Sequence, residues 1–157
     1  MGRLIVTAAR AALGSKSPVG RYHHRVWPRY VDLNRHMNQA AYAEVMELAR
    51  WHWMVRSGMF RTMVRQRLNV VVGRQEIIYR RELKPLAAFV IDVRATRVER
   101  RAVQIEHHFI VGERVHAKGT ADLVVLGRDG VAPADTVRDA FGSLVQTPLH
   151  IEDWRVA

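Results

Sequence analysis

Hydrophobic side chains recur at helical spacing in the stretch that follows Asn38. They lie three or four positions apart, so one face of a helix is continuously apolar, and they are Tyr42, Val45, Met46, Ala49 and Trp53. Asn38 is a preferred N-cap residue, and Ser57 with Gly58 supplies a C-terminal stop. The pattern predicts one amphipathic helix of about five turns whose apolar face is buried.

After Leu68 the hydrophobic period changes to two. The segments that alternate in this way are NVVVGRQEIIYRREL, AAFVIDVRATRVE, AVQIEHHFIV and RVHAKGTADLVVLG. In the second segment the expected apolar face is Phe89, Ile91, Val93 and Ala95, and the opposite face carries Asp92, Arg94 and Thr96. In the third segment the expected apolar face is Val103, Ile105, His107, Phe109 and Val111. Short polar breaks separate the segments, which predicts half-buried antiparallel strands joined by tight turns.

The two ends of the chain carry weaker patterns. Residues 1–20 have a basic start and a short apolar run that Arg10 interrupts, so the run is too short to span a bilayer. We expect an N-terminal tail that can form an amphipathic helix, docked on the domain or in peripheral contact with a membrane. Residues 21–157 are expected to form a single domain, which opens with a short strand in YHHRVWPRYVD and closes with a short helix in DTVRDAFGSLVQT.

One strand, one long helix and four further strands define an α+β fold. The helix and the sheet each have one apolar face, and they bury each other if the sheet curls around the helix. This arrangement, a long central helix wrapped by a curled antiparallel sheet, is the hotdog fold. Such a sheet has free edges, so pairing with a second subunit is expected.

Composition narrows the classes of function. The chain has 157 residues, no cysteine and a formal net charge of +10 that comes mainly from arginine; disulfide and thiolate chemistry are therefore excluded, and a cytoplasmic location is expected. The arginines are dispersed, which favours a small anionic ligand or a membrane surface over nucleic acid. The pairs His23/His24 and His107/His108 point to opposite faces of strands, so no metal site is expected.

The segment that enters the long helix resembles a known family. In WPRYVDLNRHMNQAAYAEVMELAR, residues 27–50, an aspartate is followed by His-x-Asn, a tyrosine and Glu-x-Ala-Arg. This is similar to the signature of hotdog-fold acyl-CoA thioesterases of the 4-hydroxybenzoyl-CoA thioesterase type. The later segments IIYRRELKP and HAKGTADLVVL are also similar to that family, so the resemblance covers residues 22–127.

The resemblance implies hydrolysis of an acyl-CoA by a homodimer or a tetramer. The thioester is expected at the subunit interface beside the start of the helix, and no cofactor is expected apart from the CoA of the substrate. Asp32, ten residues before Tyr42, matches the family's catalytic carboxylate, although some relatives have a second aspartate where this chain has Tyr30. Basic residues that can bind the phosphates of CoA are Arg74, Arg80, Arg81, Arg97, Arg100 and Lys118.

Asp32 suits this role chemically. An aspartate is ordinarily ionised at neutral pH, so it can attack a carbonyl or activate a water without first losing a proton. The first free N–H groups of the helix, around Asn38 and Gln39, carry a partial positive charge and can polarise the carbonyl. His36 can orient Asp32 or contact the ligand, and packing against a strand is an equally open role.

Other interpretations stay open at this point. Asn38 can act only as a cap, Tyr42 can support the substrate or belong to the core, and Glu44 and Glu47 are backup carboxylates on the helix. The protein can also be a non-catalytic hotdog protein that binds acyl groups or a membrane. A hotdog enoyl-CoA hydratase is disfavoured because its motif, Asp-x-Asn-Pro-x-His, has a proline and a spacing that this chain lacks.

Overall fold

The structure, a computed structural model, describes residues 17–156. Three α-helices lie in this range, namely α1 (Gln39–Arg56), α2 (Met59–Gln66) and α3 (Ala134–Phe141). The strands are β1 (Val19–Arg25), β2 (Asn69–Tyr79), β3 (Ala88–Glu99), β4 (Ala102–Val111), β5 (Arg114–Gly127), β6 (Gly130–Val131), β7 (Ile151–Glu152) and β8 (Arg155–Val156). Short 3-10 turns occupy Pro28–Tyr30 and Gly142–Leu144.

The main strands form one antiparallel sheet in the order β1-β3-β4-β5-β2, with α1 on its concave face. All of the side chains predicted for the apolar face of α1 are buried. The same holds for the predicted apolar faces of β3 and β4, except that Val111 is only partly buried beyond a register shift. The predicted α+β architecture of a helix wrapped by a curled sheet is confirmed.

Two glycines let α1 lie directly on the sheet. A Cβ atom on Gly20 of β1 would lie 2.8 Å from Cβ of Trp53, and one on Gly119 of β5 would lie 2.5 Å from Sδ of Met46. Trp53 is also fixed by its Nε1–H, which donates to the carbonyl of Pro18 at 2.7 Å. The helix is therefore held against the sheet at two points two turns apart, near each side of the sheet.

Two features differ from the sequence expectations. The helix α2 was not predicted; it follows the stop at Ser57 and Gly58, and only Met59 and Met63 anchor its short buried face. The strand β1 begins at Val19, so the last residues assigned to the tail are part of the sheet. Residues 1–16 lie outside the described residues. No helix within residues 17–156 has the length and hydropathy needed to cross a membrane.

The outer face of the sheet is also buried at its centre, which corrects the expectation of half-buried strands. Asp92 of β3 and His108 of β4 are cross-strand neighbours there, and both are inaccessible to solvent. Asp92 accepts a hydrogen bond from Nε of Arg94 at 2.8 Å, and Glu106 lies 3.3 Å from the Lys118 ammonium. Burial is the main cause that lowers the pKa of His108 to about 3, and the charges of Lys118 and Arg94 add to it.

The C-terminal segment accounts for this burial. Gln146 N–H donates to the carbonyl of Ala95 on β3, and Arg94 donates to the carbonyl of Thr147. Farther along, Val115 N–H at the start of β5 donates to the carbonyl of Trp154. Because β4 lies between β3 and β5, the segment crosses the outer face over β4. The alternating pattern of β4 gave no sign of this cover.

The contact between Gly20 and Trp53 generates a stability prediction. We expect Gly20→Ala to lower the free energy of unfolding by about 1–3 kcal/mol, because the new methyl group meets the fixed base of the Trp53 side chain. Gly119→Ala should lower the free energy of unfolding by less, because its new methyl group meets only the flexible end of the Met46 side chain. Urea denaturation of both variants measures this, and a larger loss for Gly119→Ala would contradict the role of Trp53.

The buried His108 generates a prediction of pH dependence. Its pKa is lowered in the folded protein, so below its ordinary pKa the unfolded chain takes up a proton that the folded chain does not. Acidification from about pH 7 to about pH 5 should therefore remove about 2 kcal/mol of stability through this residue. Urea denaturation at both pH values should show a smaller loss for His108→Gln, and an equal loss would refute the assignment.

Candidate active site

Asp32 lies in a tight loop that returns on itself just before α1. Val31 and Met37 form an antiparallel bridge, and Asp32 N–H donates to the carbonyl of His36 at 3.1 Å. The carboxylate is positioned from within the loop, because its Oδ1 accepts the backbone N–H of Asn34 at 2.9 Å. Asp32 keeps about a third of its side chain exposed, at 32%, so the carboxylate is both oriented and reachable.

Asn38 joins this loop to the helix. Its Oδ1 accepts the N–H of Ala41 at 2.9 Å, which is the predicted N-cap bond. Its side-chain Nδ2 and its backbone N–H both donate to the carbonyl of Tyr30, at 3.0 and 2.8 Å. Met37 N–H donates to the carbonyl of Leu83, between β2 and β3. The carbonyls of Tyr30 and Leu83 thus fix both the Asp32 loop and the start of α1.

The first amides of α1 are available to a ligand. Gln39 and Ala40 are exposed, and their N–H groups find no acceptor among residues 17–156. The N-terminus of a helix carries about half a positive charge, which favours an oxygen that becomes negative. The cap side chain therefore decides where these two donors point.

His36 is brought next to Asp32. Its Nδ1 lies 3.8 Å from Oδ1 of Asp32 and 3.3 Å from the carbonyl of Met37. Because a carbonyl can only accept a hydrogen bond, the contact with Met37 places the ring hydrogen on Nδ1 and leaves Nε2 unprotonated in the neutral ring. His36 is thus positioned through Met37 and can face a ligand, since it is partly exposed.

Tyr42, which was expected to support the substrate or the core, is buried. Its ring packs against those of Tyr79 and Phe109, each at a centroid distance of 5.0 Å. Burial raises the pKa of Tyr42 to about 12, and the backbone N–H of Leu83 opposes this by donating a hydrogen bond to the phenol oxygen. The phenol stays protonated at neutral pH, so it is not a base.

The backup carboxylates lie farther along α1. Glu44 is 2.7 Å from Nη2 of Arg29 and 3.2 Å from the hydroxyl of Tyr30, so it is engaged in an ion pair. Glu47 is exposed. Its charge acts on the buried Arg50, whose pKa is lowered mainly by burial. Neither carboxylate is held by the loop that holds Asp32.

The six basic candidates for CoA binding do not converge. Arg74, Arg97 and Lys118 are each within 3.4 Å of a glutamate. Arg80 and Arg81 follow β2, and both of their backbone N–H groups donate to the carbonyl of His116. They lie at the same end of the molecule as Asp32, because the nearby Leu83 binds Met37.

Exposed apolar side chains also lie at this end. Leu33, next to Asp32, is fully exposed, and Trp27 and Leu86 are about half exposed. Leu86 N–H donates to the carbonyl of Val26, which brings Leu86 close to Trp27. Within residues 17–156 no three histidine, aspartate or glutamate side chains converge on a position for a metal ion.

Sequence reasoning missed two residues that hold the site together. Tyr30 offers the carbonyl that binds Asn38, and Leu83 offers the one that binds Met37. Both act through backbone oxygens, which any residue type provides. The available signal was Pro28, which favours the turn that brings Tyr30 back to the helix.

Comparison with known proteins places the chain in a family. The family model described as Thioesterase-like superfamily matches residues 26–141. No curated protein is significantly similar to the chain in sequence.

Several solved structures share the fold. A probable thioesterase, YbaW from Escherichia coli, has a TM-score of 0.74 at 20% identity and covers 81% of this chain and 99% of its own. The DHNA-CoA thioesterase from Staphylococcus aureus has a TM-score of 0.67 at 14% identity, covering 80% of this chain and 90% of its own. The 12:0-ACP thioesterase from Umbellularia californica has a TM-score of 0.73 at 16% identity, covering 87% of this chain and 54% of its own. With a family match that spans most of its length and a hotdog fold, the chain belongs to the thioesterase-like superfamily.

Proposed function

We propose that the protein hydrolyses acyl-CoA thioesters, with Asp32 as the nucleophile or the general base. The observation that carries the proposal is the junction at Asn38, which ties the Asp32 loop and the free amides of α1 to the carbonyl of Tyr30. A carboxylate and two N–H donors that are held together in this way match the two requirements of acyl transfer, a reactive base and a group that stabilises an oxyanion.

Either of two routes uses the same carboxylate. As a general base, Asp32 takes a proton from a water whose oxygen attacks the carbonyl carbon; the C–S bond then breaks, and the thiolate of CoA receives the proton. As a nucleophile, Asp32 forms a C–O bond to the acyl group and expels the thiolate, and water then hydrolyses the resulting anhydride. In both routes the products are the free acid and CoA.

The carbonyl oxygen becomes negative in either tetrahedral intermediate. The N–H groups of Gln39 and Ala40 are the donors that support the proposed stabilisation of this charge. Asn38 is assigned a positioning role, since its side chain is already committed to Ala41 and Tyr30. His36 is assigned contact with water or with the thiol group through Nε2, and Tyr42 helps to position Leu83 from within the core.

CoA is proposed as the thiol carrier because the Asp32 end is basic. Arg80 and Arg81 lie there, and guanidinium groups bind phosphate oxygens well. The names of the structural neighbours include both a CoA and an ACP thioesterase, so an acyl carrier protein is the competing carrier. The exposed side chains of Trp27, Leu33 and Leu86 are proposed to contact the acyl group.

We also propose that two copies pair through β2. Within residues 17–156 this strand of 11 residues pairs only with β5, so along its other edge no described strand binds its backbone donors and acceptors. Its apolar side chains are exposed on both faces, with Val72 and Tyr79 on the face toward α1 and Val71 and Ile78 on the other. A second copy added along this edge would bury both faces.

Substitution of the carboxylate tests the catalytic proposal. Asp32→Asn keeps the size and most hydrogen bonds of the side chain but removes the base, so we expect kcat/KM to fall by about 10²–10⁴-fold. The measurement is release of free thiol from a panel of aliphatic and aromatic acyl-CoAs, with unfolding by urea as a check of folding.

Two control variants sharpen this test. Asp135→Asn, an exposed carboxylate on α3, should leave turnover unchanged, and Glu47→Gln should have a much smaller effect than Asp32→Asn. Full activity in Asp32→Asn would remove Asp32 from the mechanism. If the wild type turns over no acyl-CoA but binds one, the protein is a non-catalytic acyl-binding member of the family.

The dimer proposal predicts a change of mass. The double variant Val71→Lys/Ile78→Lys places two charges on an edge that is exposed in the single chain, so the fold should survive while the dimer dissociates. Sedimentation velocity should show a dimer for the wild type and a monomer for the variant. Val131→Lys, equally exposed but on the opposite side of β5, should remain dimeric; a wild-type monomer would refute the proposal.

A further inference from the structure

The region that joins α1 to β2 is strongly basic. No aspartate or glutamate occurs between Glu47 and Glu76, whereas six arginines do. Most of the positive charge surrounds α2. We define the α2 surface as Arg56, Phe60, Arg61, Val64, Arg65 and Arg67.

The α2 surface combines these charges with apolar side chains. The helix is docked by Met59 and Met63, which are buried. One turn apart on its outward side, Phe60 and Val64 are 43% and 64% exposed. Arg61 and Arg65 follow each of them in sequence, so a basic stripe lies beside an apolar one. An edge-to-face contact with Trp51, at a ring centroid distance of 6.2 Å, helps to hold Phe60 in place.

The neighbouring elements do not neutralise this charge. On the adjacent helix α3, Asp135 is paired with Arg138 at 3.2 Å. Asp139 is the other acidic residue of this helix. The turns after β3 and β5 lie at the same end of the sheet, because Gly20 pairs with Val93 and packs on Trp53 near the end of α1. Those turns add Arg100, Arg101 and Arg128 against Glu99 and Asp129.

We propose that the α2 surface docks the protein on an anionic membrane. Phe60 and Val64 enter the boundary between headgroups and acyl chains, and the arginines around them bind lipid phosphates. A membrane suits side chains that project from the outward face of a helix, because it accepts them without a complementary groove. This proposal does not depend on thioester hydrolysis.

The start of the described chain lies at the same place. Ser17 N–H donates to the carbonyl of Arg56 at 3.2 Å, so Ser17 lies beside the α2 surface. Residues 1–16 precede it in the chain. Their sequence contains Arg3, Arg10 and Lys16 and no acidic residue. Peripheral membrane binding commonly needs two weak signals, and the α2 surface supplies an exposed apolar pair and a cluster of arginines. The Asp32 loop lies at the other end of α1. The helix is 18 residues long, so the loop is about 27 Å from the α2 surface. At this distance from the membrane the loop stays open to solution.

The experiment is sedimentation of the full chain with vesicles of phosphatidylcholine, either pure or mixed with phosphatidylserine. We expect binding to the mixed vesicles only, weakened by added salt. The double variants Phe60→Ser/Val64→Ser and Arg61→Gln/Arg65→Gln should each bind about tenfold more weakly or worse. As controls from the other end of the molecule, Leu86→Ser and Lys84→Gln/Arg114→Gln should bind like the wild type. Urea denaturation shows whether each variant is folded.

Four outcomes would overturn the proposal. The first is a wild type that does not bind the mixed vesicles. The second is wild-type binding by both α2 double variants, which would leave the N-terminal segment as the contact. The third is a change of oligomeric state in Phe60→Ser/Val64→Ser with unchanged vesicle binding, which would assign the α2 surface to a second copy. Binding that depends on the arginines but not on Phe60 and Val64 would refute insertion of the apolar side chains.

Discussion

The close approach of α1 to the sheet is the constraint on which the other features depend. An α-helix can lie directly against a sheet only where the strand beneath it has no side chain in the way. Gly20 and Gly119 provide two such places, and Trp53 and Met46 fill them. With the helix fixed at both points, neither its axis nor its rotation is free. The position of its first turn is then set by the packing of its later turns.

The candidate site uses this rigidity. Helix amides polarise a carbonyl only if they point in a fixed direction, and here the core fixes the direction while Asn38 fixes the first residue. The candidate carboxylate, Asp32, belongs to the preceding loop, most of whose residues are exposed or only partly buried. Hydrogen bonds to the carbonyls of Tyr30 and Leu83 hold this loop in position. The site therefore combines an accessible carboxylate with a rigid backbone support.

The sequence predicted the elements whose hydrophobic residues recur with a regular period. The bounds of α1, β4 and β5 follow from hydrophobic period and capping, because a long stripe leaves few alternatives. It predicted Asp32 and Asn38 as neighbours for the same reason, since they are close along the chain. It did not predict α2, where two buried methionines in eight residues give too short a pattern. Contacts made by backbone atoms, and the cover over His108, depend on tertiary structure and left no local signal.

The path of the C-terminal segment has a consequence for synthesis. Residues 145–156 lie across strands that are made much earlier, and they complete the cover over Asp92 and His108. During translation those polar groups meet water until residues 145–156 have left the ribosome. The helix and the inner face of the sheet can assemble on the nascent chain, but the outer face cannot close. The Asp32 loop, by contrast, is synthesised long before this segment.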